Sequence, residues 1–364
     1  MQSAPSLIQA QLPLGRGPWR TFDPFLFCVH HQDQYPAGDA ELAPRADLRG
    51  RNIGSDFSHR DGWSMYHGRS VPGFPQHPHR GFETISIVRR GLIDHSDSLG
   101  ATARIGAGDV QWMTAGAGIV HAEMFPLVHQ TRENPTDFFQ IWLNLPAARK
   151  MTPPQFKMFW REQVPLVKRV DQAGKESIVT VISGVFAGHR PPDPPVASWA
   201  ADPQSDLSIW LVEMPEGAEV KLPKQPRGTH RVIYHVEGGQ VEINGAVLSP
   251  QHGALMLDGY EHHLRTPSIS PMTSIPSNAS GSPKVSIGPT TTLLVLQGRP
   301  IGEPVAQRGP FVMNTIDELR QAVYDYQTTQ FGGWPWPRVD PVHRPKEGRF
   351  ARYIDGSEHR PPHQ

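Results

Sequence analysis

The chain has 364 residues, and its 35 Lys and Arg are balanced by 35 Asp and Glu, so the formal net charge is zero. This balance argues against a nucleic-acid-binding protein, and no apolar run of about 18 residues predicts a membrane span. The single cysteine, Cys28, excludes an intrachain disulfide and is predicted to be a buried apolar residue. The first 16 residues do not resemble a signal peptide, so a cytoplasmic location is expected.

The first half of the chain is predicted to form short antiparallel strands after an irregular start. One strand candidate covers residues 25–30, and the polar segment 36–58 is predicted to be a long loop. Further strand candidates, separated by Gly turns, are residues 84–89, 92–97, 102–105, 110–113, 119–124 and 138–145. Short strands that recur about every ten residues predict an antiparallel sandwich or barrel.

The second half repeats this pattern. Its strand candidates are residues 178–186, 207–214, 218–222, 230–236, 240–243, 246–248, 254–257 and 293–296. Asn244-Gly245 is a strong signal for a two-residue hairpin turn. Helical spacing of apolar residues follows near the C-terminus, where Thr315 is the predicted N-cap.

These elements predict an all-β protein of two antiparallel barrels with a C-terminal helix. The first domain is predicted at residues 17–165 and the second at 166–334. The second includes an insertion at 266–289, rich in Ser, Thr and Pro, and the helix at 315–330. A polar tail, 335–364, completes the chain. The composition predicts that the insertion and residues 340–364 of the tail are mobile.

Two pairs of residues point to a metal site. Residues i and i+2 of a strand face the same side, so His77 and His79 can aim at one point, and so can His121 and Glu123. If the two strands are neighbours, four ligands converge inside the barrel. Three imidazoles and one carboxylate suit Fe, Mn, Ni, Zn or Cu. Because such ions accept five or six ligands, positions remain for water, dioxygen or a bidentate substrate.

Longer motifs around these residues resemble a known family. The segments His77–Thr84 and Gly108–Glu123 look like the signature of pirins, which are bicupins. Asp23–Leu26 and Gly309–Thr315, with the helix that follows, resemble pirin segments too. The similarity is dense around these motifs and thin elsewhere.

The resemblance implies two stacked cupin barrels with one iron(II) in the N-terminal barrel, held by His77, His79, His121 and Glu123. Manganese, nickel, zinc and copper are the alternatives. Some pirins act as quercetin 2,3-dioxygenases, and others are described as redox-responsive partners of transcription regulators. The resemblance thus implies a dioxygenase that takes a flavonol or another vicinal-oxygen substrate, with Glu123 as the catalytic base and Glu83 in reserve. The alternative is a non-enzymatic redox sensor that regulates an unidentified protein partner.

Several features qualify this interpretation. In many metal cupins a glutamate at the position of Glu83 is a ligand, but the pirin pattern favours Glu123. His67 and His95 are predicted to be ordinary strand or loop residues. At an offset of 147 residues, Lys224 and Pro226 replace the first two histidines in the second half, so one metal per chain is predicted. The region 29–63 is longer than in the family pattern, so the rim of the site is expected to differ.

Overall fold

The computed structural model describes residues 6–268 and 290–362, and it confirms the predicted mostly β fold. Its first ten strands are β1 (Ile8–Pro13), β2 (Phe25–Tyr35), β3 (Gly73–His79), β4 (Phe82–Arg90), β5 (Leu92–Asp97), β6 (Thr102–Gly106), β7 (Val110–Thr114), β8 (Ile119–Met124), β9 (Asn134–Asn144) and β10 (Gln155–Phe159). The segment 36–58 contains no helix or strand, as predicted.

The second half of the chain adds β11 (Leu166–Val170), β12 (Glu176–Ser183), β13 (Ser208–Met214), β14 (Glu219–Leu222), β15 (His230–Glu237), β16 (Val241–Ile243), β17 (Ala246–Leu248), β18 (His252–Met256), β19 (His262–Arg265), β20 (Thr291–Gly298), β21 (Ala306–Arg308) and β22 (Phe311–Met313). Helix α1 (Ile316–Thr329) is followed by β23 (Phe350–Arg352) and β24 (Glu358–His359). Single 3-10 turns cover Arg60–Gly62, Ala147–Arg149, Trp199–Ala201 and Gln330–Gly332.

The described residues form two compact units. The N-terminal unit contains residues 16–164, 192–202 and 301–362, and the C-terminal unit contains the remainder. The domain boundaries drawn from the sequence remain a prediction. Helix α1, which that division assigns to the second domain, makes its contacts within the N-terminal unit.

In the N-terminal unit, two antiparallel sheets enclose an apolar interior. One sheet has the order β10-β7-β4-β9-β2, and the other has the order β24-β23-β6-β5-β8-β3. Aromatic and aliphatic side chains from both sheets form the core, among them Tyr35, Trp63, Ile93, Phe125 and Phe138. Strands β3 and β8 are neighbours, which is the arrangement that the two pairs of candidate ligands require.

The C-terminal unit is built in the same way. A sheet with the order β1-β18-β15-β20-β13-β12-β11 faces a four-stranded sheet, β14-β19-β16-β17. The predicted Asn244-Gly245 turn joins β16 to β17, and both residues have the positive φ that this hairpin turn requires. Inside the unit, buried Arg231 donates to His262 Nδ1 at 2.8 Å and to Gln297. The Arg231 guanidinium is therefore a hydrogen-bond partner of His262.

Helix α1 begins as predicted. The Thr315 hydroxyl accepts a hydrogen bond from the Glu318 N–H at 3.2 Å, and the Glu318 carboxylate accepts one from the Thr315 N–H at 2.8 Å. This reciprocal pair is a capping box. No helix in the described part of the chain is long and apolar enough to cross a membrane.

The tail is not the mobile segment that its composition predicted. β23 pairs with β6, and the buried guanidinium of Arg104 donates to the carbonyls of His343, Arg344 and Glu347. Buried Asp94 accepts from that guanidinium and from the N–H of His343, so an internal ion pair anchors the segment. Of the predicted insertion 266–289, residues 269–289 lie outside the described residues.

Candidate metal centre

Three histidines meet inside the N-terminal unit. His77 and His79 lie on β3, and His121 lies directly opposite His77 on β8. The two-residue period of β3 turns both of its histidines to one side, and the register of β8 brings the third to them. One ring nitrogen from each lies within 4.8 Å of the others. The structure therefore brings together the three predicted histidine ligands.

The environment keeps these imidazoles neutral. Burial lowers the pKa of His77 to about 4, and it lowers the pKa of His79 and His121 well below the usual value. A neutral imidazole keeps a lone pair for a metal. The Nδ1–H of His77 donates to the Pro75 carbonyl at 2.8 Å, which leaves its Nε2 free to coordinate.

His121 gives the clearest test of whether a metal fits. Both of its ring nitrogens are buried and have no hydrogen-bond partner in the protein. A buried polar atom without a partner costs about 1–3 kcal/mol, and a cation shared with His77 and His79 would relieve that cost for one of the two nitrogens. The donor set and these unpartnered nitrogens fit a borderline divalent ion.

Glu123 lies beside the three histidines, and both of its carboxylate oxygens accept hydrogen bonds. Ser86 Oγ donates to Oε1 at 3.0 Å, and Gln140 Nε2 donates to Oε2 at 2.6 Å. Oε2 is 4.0 Å from His121 Nε2. Burial raises the pKa of Glu123, although its two hydrogen bonds oppose that shift. The carboxylate is thus next to the three histidines, and its role as the fourth ligand remains a prediction.

Glu83 does not join this cluster. Its carboxylate accepts hydrogen bonds from Thr114 Oγ1 at 2.6 Å and Ser198 Oγ at 2.5 Å. Ser86, three residues further along β4, faces the opposite side and reaches Glu123. Glu83 lies away from His79 because the chain turns at Arg80-Gly81 and enters the other sheet. Burial raises the pKa of Glu83 to about 7.

His95 is a neighbour of the site that sequence reasoning missed. It lies directly opposite Glu123 in the pairing of β5 with β8, and its ring centroid is 5.6 Å from that of His121. Its Nε2 is 3.1 Å from Asp97 Oδ2, while its Nδ1 is buried without a hydrogen-bond partner. The signal in the sequence is the i, i+2 spacing of His95 and Asp97 on β5, the strand that pairs with β8.

The C-terminal segment closes one side of the site. The Pro310 carbonyl is 3.4 Å from His79 Nδ1, so it can fix the ring of that histidine. Arg80 donates to Asp325 of α1 at 2.6 Å and stacks over Phe331. Gly118 is required here, because a Cβ at this residue would lie 2.6 Å from the Phe331 ring. The helix is therefore part of the wall of the site.

Two antiparallel β units, one of which brings three histidines together in its interior, define a bicupin. A family model for Pirin matches residues 10–143, and one for the Pirin C-terminal cupin domain matches residues 209–332. The chain is 32% identical to Pirin of Homo sapiens over 266 residues, which is 71% of this chain and 78% of that protein. The chain belongs to the pirin family.

Two further relatives bear on activity. A Pseudomonas aeruginosa protein named "Putative quercetin 2,3-dioxygenase" is 34% identical over 259 residues, covering 71% of this chain and 79% of that protein. The crystal structure of a quercetin 2,3-dioxygenase from Acinetobacter baumannii is similar with a TM-score of 0.66 and 25% identity. That similarity covers 90% of this chain and 98% of the other.

Proposed function

We propose that this protein is a metal-dependent dioxygenase that acts on a flavonol or on another substrate with two neighbouring oxygens. The observation that supports it most is the cluster of His77, His79 and His121, with ligand nitrogens within 4.8 Å of one another, beside the Glu123 carboxylate, whose two oxygens both accept hydrogen bonds. The names of the two relatives that are quercetin dioxygenases point to the same chemistry.

The three histidines, with Glu123 as the fourth ligand, would hold one divalent ion. Iron(II) is proposed first, with manganese, nickel, zinc and copper as alternatives. When bound, such an ion supplies a Lewis acid for the two substrate oxygens and a centre at which dioxygen can react. The neutral imidazoles contribute no charge to the site, so Glu123 provides the only anionic donor in the proposed set.

Glu123 is the proposed general base. A carboxylate oxygen within the site can accept the proton of a substrate hydroxyl, and the burial that raises its pKa makes it a stronger base. Ser86 and Gln140 fix the direction of both oxygens, and a carboxylate that can leave the metal can also take a proton. The rings of Phe82 and Trp142 pack against His79, with centroids 5.1 and 5.4 Å from that of the imidazole.

The test measures metal content and dioxygen consumption together. Protein purified without chelator is analysed for metal, then mixed with quercetin, a catechol or an enediol in an oxygen electrode. We expect dioxygen uptake with the flavonol, loss of uptake after chelation, and recovery with one added metal. His79→Ala should contain no metal and be inactive. Metal-loaded protein that consumes no dioxygen with any of these substrates would contradict the proposal and favour the redox-sensing alternative.

A further inference from the structure

A row of aromatic side chains leads from the surface to the candidate metal site. Phe57 is 5.1 Å from His67, His67 is 5.8 Å from Phe74, and Phe74 is 6.3 Å from the ligand His77, measured between ring centroids. We call these first three residues the aromatic row. Neighbouring rings meet edge to face, which is a favoured geometry for aromatic pairs.

Exposure along the row falls towards the metal site. Phe57 is 56% exposed and His67 is exposed, whereas Phe74 and His77 are partly buried. Phe74 also lies directly opposite Glu123 in the pairing of β3 with β8. The inner end of the row therefore borders both a histidine ligand and the proposed base, and its outer end is open to solvent.

The segment that contains Phe57 and His67 is held in place by its own contacts. The buried guanidinium of Arg51 donates to Asp56 and to the Trp63 carbonyl, each at 2.9 Å, and stacks on the Trp63 ring at 3.5 Å. The Gly54 carbonyl is 2.9 Å from Nδ1 of His67, which fixes that ring. Such a support shows that the exposed Phe57 ring does not sit on a freely moving loop.

A phenylalanine that is 56% exposed contributes less to the stability of the fold than a buried one. Most of the apolar surface of Phe57 remains in water, and its one other ring neighbour in the described structure is Tyr66, at 5.5 Å. An exposed ring on a rigid support, three ring contacts from the candidate ligand His77, is an arrangement suited to contact with a ligand.

We infer that the aromatic row determines specificity for planar, multi-ring substrates. The two neighbouring oxygens of such a substrate would lie at His77 and Glu123, and its remaining rings would pack along Phe74, His67 and Phe57. This inference rests on the proposed function, since it names the part of the substrate that the metal ligands do not touch. A single-ring substrate is too short to reach Phe57, because the three steps from Phe57 to His77 measure 5.1, 5.8 and 6.3 Å between ring centroids.

The experiment compares Phe57→Ala with wild type in binding and in turnover. Quercetin binding is measured without dioxygen, by titration calorimetry on metal-loaded full-length protein. An aromatic contact contributes about 0.5–1.5 kcal/mol, so the Kd for quercetin should rise about 2- to 13-fold. His67→Ala should have a similar effect. Phe57→Tyr, which keeps an aromatic ring at this position, should bind quercetin with the wild-type Kd. Catechol binding should stay unchanged in all three.

Tyr324→Ala is the matched control, because Tyr324 is also an exposed aromatic residue of the N-terminal unit, 62% exposed on α1. It should bind quercetin as wild type does. Equal losses of quercetin and catechol binding in Phe57→Ala would indicate a structural effect and overturn the inference, as would an unchanged Kd for quercetin.

The outcomes also separate this inference from the proposed function. If wild type binds quercetin through Phe57 but consumes no dioxygen, the proposed dioxygenase activity is wrong, and the aromatic row remains a binding site. If wild type consumes dioxygen with quercetin and Phe57→Ala has the same Kd, kcat and KM, the activity stands and the inference fails. If quercetin does not bind at all, the inference fails, and the proposed function then stands or falls on dioxygen uptake with the catechol or the enediol.

Discussion

Two buried glutamates offer a matched comparison, because Glu123 lies beside the histidine triad and Glu83 lies on the other side of β4. We expect Glu123→Gln to lose its metal and Glu83→Gln to keep it. Changing a residue that only orients a metal ligand costs 10–100-fold in affinity, so replacing the proposed anionic ligand should cost on the order of 100-fold or more. Metal content after dialysis against a weak chelator is the measurement.

The same pair makes a second, independent measurement possible. Burial raises the pKa of Glu83 from its ordinary 4.5 to about 7, so the folded protein binds a proton there more tightly than the unfolded chain. Its contribution to stability is complete below pH 4.5 and is lost as the pH rises through 7. The loss approaches about 3 kcal/mol, since one pKa unit corresponds to 1.36 kcal/mol.

Glutamine resembles the protonated acid and does not titrate. Urea unfolding of metal-free protein should therefore show similar stability for wild type and Glu83→Gln at pH 4.5. The difference should grow between pH 4.5 and 7 and level off at about 3 kcal/mol above pH 7, where the variant is the more stable protein. Parallel pH profiles for the two proteins would refute the reasoning about Glu83. A metal-free Glu83→Gln and a fully loaded Glu123→Gln would refute the assignment of the carboxylate.

Three further predictions concern the rest of the molecule. Arg104→Met should lower the free energy of unfolding by about 3–5 kcal/mol, because it leaves the buried Asp94 carboxylate without its ion-pair partner. Limited proteolysis of this variant should then cut within 341–362 first, and an uncut tail would contradict the prediction. Cys28 is fully buried and burial raises its pKa far above the usual value, so a thiol reagent should label it only after unfolding, and rapid labelling of native protein would be the contrary result. One equivalent of metal should bind per chain, and mass spectrometry under native conditions would expose a second.

The pattern of the sequence was sufficient for much of the fold. Alternation of apolar residues with Gly turns predicted most of the strands, and Thr315 with its acidic first turn marked the start of α1. Strands such as β1 and β11 were not predicted, because they are short and more than half of their residues are not buried. The tail was misjudged because two buried groups, Arg104 and Asp94, anchor it by backbone carbonyls and an N–H, which composition does not reveal.

Part of the candidate site was likewise predictable from the sequence, and part was not. The i, i+2 spacing was enough to pair His77 with His79 and His121 with Glu123, because side-chain direction within one strand is a local property. Which strands are neighbours, and in what register, depends on contacts between distant residues. For that reason only the tertiary structure placed His121 opposite His77, brought His95 beside Glu123, and turned Glu83 to the far side of β4.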